Sequence, residues 1–109
     1  MTGPNLALVL DDLAGKEGVI GYGALAQALA IPGPGSIAKL TAQLEALMLE
    51  DAAKGHPFRA ALCRAKTGNG LPAKGFFEAA IRLGRFDGGD EAGFVAAERA
   101  ALFKRAASR

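Results

Sequence analysis

The stretch that decides the fold is YGALAQALAIPGPGSIAKLTAQLEALMLEDAAKGHPFRAALCRAKTGNGLPAKGFF, residues 22–77. Tyr22 to Ala30 places Leu25, Ala26 and Leu29 at helical spacing. Ile31-Pro32-Gly33-Pro34-Gly35 stops that helix, because proline lacks an amide donor and crowds the preceding turn. Ser36 then reads as the cap of a long helix, its hydroxyl accepting from a first-turn amide. Ile37, Leu40, Leu44 and Leu47, joined by Met48, form one apolar stripe, with Lys39, Thr41, Gln43 and Glu45 off it and Gly55 as the stop. From Pro57 to Lys66 the pattern becomes an alternation. Phe58, Ala60, Leu62 and Arg64 fall on one side and Arg59, Ala61, Cys63 and Ala65 on the other, which reads as a strand. Asn69-Gly70, within Thr67 to Pro72, is a hairpin signal because both residues tolerate positive φ. Short helix, Pro-Gly turn, long helix, basic strand and glycine-rich tip is the order of a winged helix-turn-helix. The expected class is therefore mainly α (α+β), with a small β-hairpin and extra terminal helices.

Those extra helices lie outside the stretch. Pro4 to Ala14 carries Leu6, Val9, Leu10 and Leu13 on one face, and Gly15 can end it. Val19 and Ile20 read as a brief extended pairing segment, and Phe76 to Leu83 as a short helix. Asp87-Gly88-Gly89-Asp90 is a turn, with Asp90 capping a last helix from Glu91 to Ala107 that buries Phe94, Val95, Ala97, Leu102 and Phe103. The 109 residues favour one domain, with a winged-helix-like core at 19–77 and the C-terminal helix within 90–107. Half the residues are hydrophobic, many of them alanine, which favours helices packed in thin layers.

Net charge is only +2, but it is unevenly placed. Residues 1–53 hold six acids and two bases, whereas residues 54–85 hold seven bases (Lys54, Arg59, Arg64, Lys66, Lys74, Arg82, Arg85) and one acid. A basic segment of this kind attracts polyanions when it also clusters in space, and otherwise serves as a solvated face. One cysteine, Cys63, allows no internal disulfide and fits a reducing, cytoplasmic setting. No apolar run is long enough to span a bilayer, so no membrane partner is expected.

Two patches, Tyr22-Gly23-Ala24-Leu25-Ala26 and the run from Lys66 to Phe76 (KTGNGLPAKGF), resemble a family of small, uncharacterised bacterial and phage proteins. That family sets a YGxLA helix before a long helix and a strand leading to a K-T-G-x-P-x-x-G-F tip. The resemblance covers roughly residues 18–77 and implies a winged-helix-like domain with no assigned activity. Val19 to Ala26 also resembles in part the V-x-T-Y-G-x-I-A segment of alkyltransferase-like DNA-binding proteins. Their P-C-H-R motif has no counterpart, because Pro57 is followed by Phe58-Arg59-Ala60, so the alkyl-transfer chemistry is not implied.

On this reading the function is binding without catalysis, with duplex DNA as the leading ligand. Ser36, Lys39, Thr41 and Gln43 would face a groove from the start of the long helix, and Arg59, Arg64, Lys66 and Lys74 would hold phosphates from the strand and tip. The alternative is a protein-interaction module or homodimeric adaptor, its alanine-rich first and last helices facing a partner. A third reading, an enzyme built on Cys63 and His56, is set against a buried cysteine and a loop histidine. No GxxxxGK[ST] loop occurs, one histidine and one cysteine make a poor zinc set, and no cofactor or metal is expected. Phe58, Phe76 and Phe77 are assigned to the core rather than to base stacking. Asp11-Asp12 and Glu50-Asp51 read as solvated faces, since helix neighbours point about 100° apart.

Overall fold

A computed structural model describes residues 5–67 and 69–108. Its elements run α1 (Leu6–Gly15), β1 (Ile20–Gly21), α2 (Tyr22–Ala28), α3 (Ser36–Ala53), a 3-10 turn (Arg59–Leu62), β2 (Cys63–Arg64), α4 (Lys74–Arg82) and α5 (Glu91–Ala107). The protein is thus mainly helical, with one two-stranded sheet. No helix among the described residues is long and apolar enough to cross a membrane.

The helix ends follow local chemistry. Asn5 caps α1 by accepting from the amides of Ala7 and Leu8, and Asp90 caps α5 by accepting from Gly93. The expected role of Pro4 at the start of α1 lies outside the described residues. Ser36 is not the cap of α3. Gly35 takes that position at φ +79, a left-handed conformation that only glycine adopts without strain, and Ser36 becomes the first helical residue. On α3, Leu40, Leu44, Leu47 and Met48 are buried as the stripe requires, but Ile37 stays 46% exposed at the open end of the helix.

The sheet corrects the expected hairpin. β1 and β2 pair in parallel, Ile20 with Cys63 and Gly21 with Arg64, so β2 joins a distant segment rather than the chain just after it. The strand expected over 57–66 shrinks to Cys63–Arg64, because residues 59–62 coil into the 3-10 turn. Ala60, Ala61, Leu62 and Cys63 are all buried, so this segment runs through the core between α1, α3 and α5 and has no solvent face to alternate with. The turn signal is real, since Asn69 (φ +53) and Gly70 (φ +85) both take positive φ. One backbone bond, Ala65 N–H to Leu71 O at 2.8 Å, closes the loop. The chain then passes through Pro72 into α4 instead of a second strand, and the expected tip position at Gly68 lies outside the described residues.

The terminal helices complete the core. α1 lies against α5, and both pack on the 3-10 turn. Five of the six phenylalanines form one cluster: Phe58 meets Phe76 edge-on at 6.0 Å, Phe77 touches Phe76 and Phe86, and Phe86 stacks on Phe94 at 4.7 Å.

Candidate functional site

The basic segment meets the acidic one at Arg59, which is largely enclosed, and at the surface through Lys54 and Arg82. Arg59, expected to hold phosphate, instead holds carboxylates. Its Nε and Nη2 donate to Asp51, Nη2 also to Glu50, and Nη1 to Asp11. Asp51 is fully buried and also accepts from the Arg59 backbone N–H at 3.0 Å. Burial alone would lower the Arg59 pKa, but the bonds and charge of Asp51, then Asp11 and Glu50, raise it above the usual value. The adjacent acid pairs are therefore not uniformly solvated faces: Asp11 of the first pair and both Glu50 and Asp51 of the second bond Arg59. Lys54 pairs with Glu50 at 3.5 Å, Arg82 with Glu45 at 3.4 Å, Arg85 with Glu98 at 3.8 Å and Lys74 with Glu78 at 3.9 Å. Of the seven bases in that segment, Arg64 and Lys66 alone make no ion pair among the described residues, and both are exposed.

The residues expected at the start of α3 do not share a face. Lys39, whose ammonium donates to Pro32 O at 3.5 Å, and Gln43 lie on one side, with Gln43 lining a groove beside Asn5 and Ala7 of α1. Thr41 is two residues past Lys39, about 200° round the helix. Its hydroxyl donates to Ile37 O at 2.9 Å, and it faces Tyr22 and the start of α4. Lys74, at that start, thus lies across α3 from Lys39 and Gln43. Ser36 is half-buried at the helix end.

A cavity opens on the Thr41 side, between α2, α3 and α4, with a volume of about 120 Å³. Leu44, Met48, Ala60 and Phe76 form its floor, Ile37 and Thr41 one wall, and Tyr22, Ala73 and Gly75 the other. Glu45 stands on the rim, tied to Arg82. The two patches singled out in the sequence meet here: the Tyr22 hydroxyl accepts from Ala73 N–H at 2.9 Å, joining the first residue of α2 to the cap position of α4. Burial raises the Tyr22 pKa, against the Ala73 bond that lowers it, so the phenol stays protonated. The hydroxyl donates to no described group. The amides of Lys74 and Gly75, in the first turn of α4, have no acceptor among the described residues either.

Gly75 is conspicuous in that wall. It is helical, its φ is not positive, and a Cβ built on it meets nothing within 4 Å. Packing does not require glycine there. What its lack of a side chain does provide is an open approach to the backbone from the cavity.

A second cleft, of about 180 Å³, lies among Asp11, His56, Arg59 and Arg105. Its polar groups already face one another: Arg59 is enclosed by carboxylates, and Arg105 Nη2 sits 3.0 Å from His56 Nε2. Arg85 donates to the backbone oxygen of His56 and stacks over Phe58 at 4.3 Å. Cys63 is fully buried, and desolvation pushes its thiol up to about 12 despite the nearby Arg99. It is protonated at neutral pH and is no ready nucleophile.

Sequence reasoning missed Tyr22 and Arg99 as organisers of this region. Arg99 of α5 donates to Ala61 O at 2.7 Å, Cys63 O at 3.2 Å and Gly70 O at 2.7 Å, gathering the 3-10 turn, β2 and the glycine loop. Its position among Ala97, Ala100 and Ala101 gave no motif to read. The Tyr22 signal was present, as the first residue of one of the two patches. Comparison with family models, with curated proteins and with solved structures finds no match.

Proposed function

We propose that the chain is a non-catalytic binding module for a protein partner, with the cavity between Tyr22, α3 and the start of α4 seating an apolar side chain of that partner. The observation that carries this reading is convergence. Tyr22 and Ala73, 51 residues apart, are bonded at the edge of an apolar opening whose wall includes a glycine that packing does not need. The pairing of acids with bases favours it further, since Arg59 is enclosed by carboxylates and Lys54 and Arg82 already face acids at the surface. A photo-crosslinking side chain at Ile37, with a matched control at Ala96 on α5, tests it. Capture of one defined protein from the Ile37 site, lost in Gly75→Met and absent from the Ala96 site, is expected. The same species captured equally from both sites overturns the reading. Light scattering then separates a second copy of this chain from a foreign partner.

A second reading keeps duplex DNA as the ligand and a winged-helix mode of docking, with α3 as the recognition helix. Arg64 and Lys66, exposed and without an ion pair among the described residues, favour it. Their contacts would be electrostatic and salt-sensitive. A gel-shift titration at two salt concentrations reads this directly. Absence of binding at low salt, or binding indifferent to Arg64→Ala with Lys66→Ala, removes it.

A further inference from the structure

We infer that the outward face of α3 is a docking surface for a second copy of this chain, with the two α3 helices antiparallel across a two-fold axis. The inference goes beyond the cavity and does not depend on it. Ala38, Ala42, Ala46, Leu49 and Ala53 fall within an arc of about 80° at 100° per residue, opposite the buried stripe of Leu40, Leu44, Leu47 and Met48. All five are exposed, Leu49 at 60%, and none lines the cavity. Positions 42, 46, 49 and 53 step by four, three and four, the 3.5-residue repeat of a helix pair crossing at about +20°. α3 is thus apolar on two opposite faces, and this chain covers one of them. A helix at an ordinary surface turns charged and polar side chains outward. Alanines alone satisfy helix propensity and make no site. The leucine among them and the charges beside them identify the occupant.

Lys39 and Glu50 stand eleven residues apart, so they lie within about 20° of each other on one flank of the seam. A two-fold axis crossing α3 near residue 44 sets Lys39 of each chain against Glu50 of the partner subunit. Lys39 has no carboxylate partner among the described residues, and its ammonium reaches Pro32 O at 3.5 Å. The Glu50 side chain is 48% exposed even while it bonds Lys54 and Arg59. In the same register Ala42 meets Ala46 of the partner subunit, small against small, so the helices can approach closely. The stem of Lys39 covers Leu49 of the partner subunit. On the other flank the two Glu45 side chains come near each other, but each carries its own Arg82, so that flank holds two charges of each sign. A parallel pair would set Lys39 beside Lys39 and Glu50 beside Glu50, like against like.

One helix pair of this length is a small interface, about 1,200 Å² or less in total, so a dimer dissociating in the micromolar range is expected. Analytical ultracentrifugation over a concentration series measures it. Leu49→Glu and Ala46→Glu change exposed positions and, once circular dichroism shows the fold unchanged, are each expected to weaken the dimer at least tenfold. Lys39→Glu should weaken it several-fold. Mild oxidation of Ala42→Cys protein mixed with Ala46→Cys protein reads the register, and the fully buried Cys63 stays out of the reaction. The mixed disulfide is expected to form faster than either protein crosslinks to itself. A chain that stays monomeric at millimolar concentration, or a dimer indifferent to both glutamate substitutions on the seam, overturns the surface. Ala42→Cys protein crosslinking to itself as readily as to Ala46→Cys protein overturns the antiparallel pairing. The photo-crosslink from Ile37 reads the cavity separately, so failure of the dimer and failure of the cavity reading are told apart.

Discussion

Asp51 is the residue whose environment departs most from its composition-based expectation. It is fully buried, and it holds both the side chain and the backbone amide of Arg59. Removing one member of a buried pair leaves an uncompensated charge and costs about 3–5 kcal/mol, whereas replacing both with apolar groups is often neutral. Asp51→Ala is therefore expected to lower stability by about 3 kcal/mol, toward the low end because Arg59 keeps Asp11 and Glu50. The double variant Asp51→Leu with Arg59→Met should cost less than either single change. Urea unfolding midpoints of the three proteins decide this, and a double variant worse than both singles would be against it. Cys63 gives a second residue-scale outcome. Its thiol rises from 9.0 to about 12 on folding, so between those values the folded chain holds a proton that the unfolded chain has lost. Its contribution to stability is full below pH 9 and falls as the pH rises toward 12. At neutral pH the native protein should resist thiol labelling and take up one equivalent only when unfolded. Rapid native labelling would show that the thiol is exposed and restore Cys63 as a candidate nucleophile.

Among the elements, the junction of the 3-10 turn, β2 and the glycine loop depends on α5 through Arg99. Three carbonyls in different directions need the planar fork of a guanidinium, which an ammonium does not match. Arg99→Lys is expected to behave much like Arg99→Met, with roughly 2–3 kcal/mol lost through carbonyls left without a partner. Hydrogen exchange at Ala65, whose amide bonds to Leu71 across the loop, should quicken in both. Lysine restoring wild-type exchange would mean that one carbonyl carries the effect. The helices themselves were legible in the sequence. α5 has the boundaries its cap and periodicity indicate, and α1 and α3 differ from expectation by a residue or two at their ends. The β elements were not, because the alternation from Pro57 to Lys66 passes through Ala60 and Ala61, which suit a buried 3-10 turn better than a strand. The parallel pairing of β2 with β1 depends on contacts 43 positions apart, invisible to local pattern. The site was half legible: the two patches were visible, but not that Tyr22 and Ala73 join them, nor that Arg59, read as a phosphate contact, is enclosed by carboxylates.

At the scale of the whole molecule, the division into a core at 19–77 with appended helices does not match how the apolar surface is distributed. Leu6, Leu10 and Ala14 of α1 and Val95 and Leu102 of α5 are buried in the same cluster as Leu40, Phe58 and Leu62. The two terminal helices lie on each other and on the 3-10 turn, so removing them would bare the fully buried Ala61 and Leu62. They would also take away Glu98, which accepts from Phe58 N–H, and Arg99 with its three carbonyls. A domain of roughly 60 residues buries only about 60% of the surface its unfolded chain exposes, less than a larger one does, and is marginal even with an intact core. The fragment spanning residues 18–78 is therefore expected to show weak helical circular dichroism and no cooperative thermal transition, whereas the full chain unfolds in one step. Adding α1 and α5 back as separate peptides should restore little, since loop closure no longer offsets the entropy of bringing the pieces together. A fragment that melts cooperatively near the temperature of the full chain would establish an independent central domain. It would also release the terminal helices for contacts with a partner.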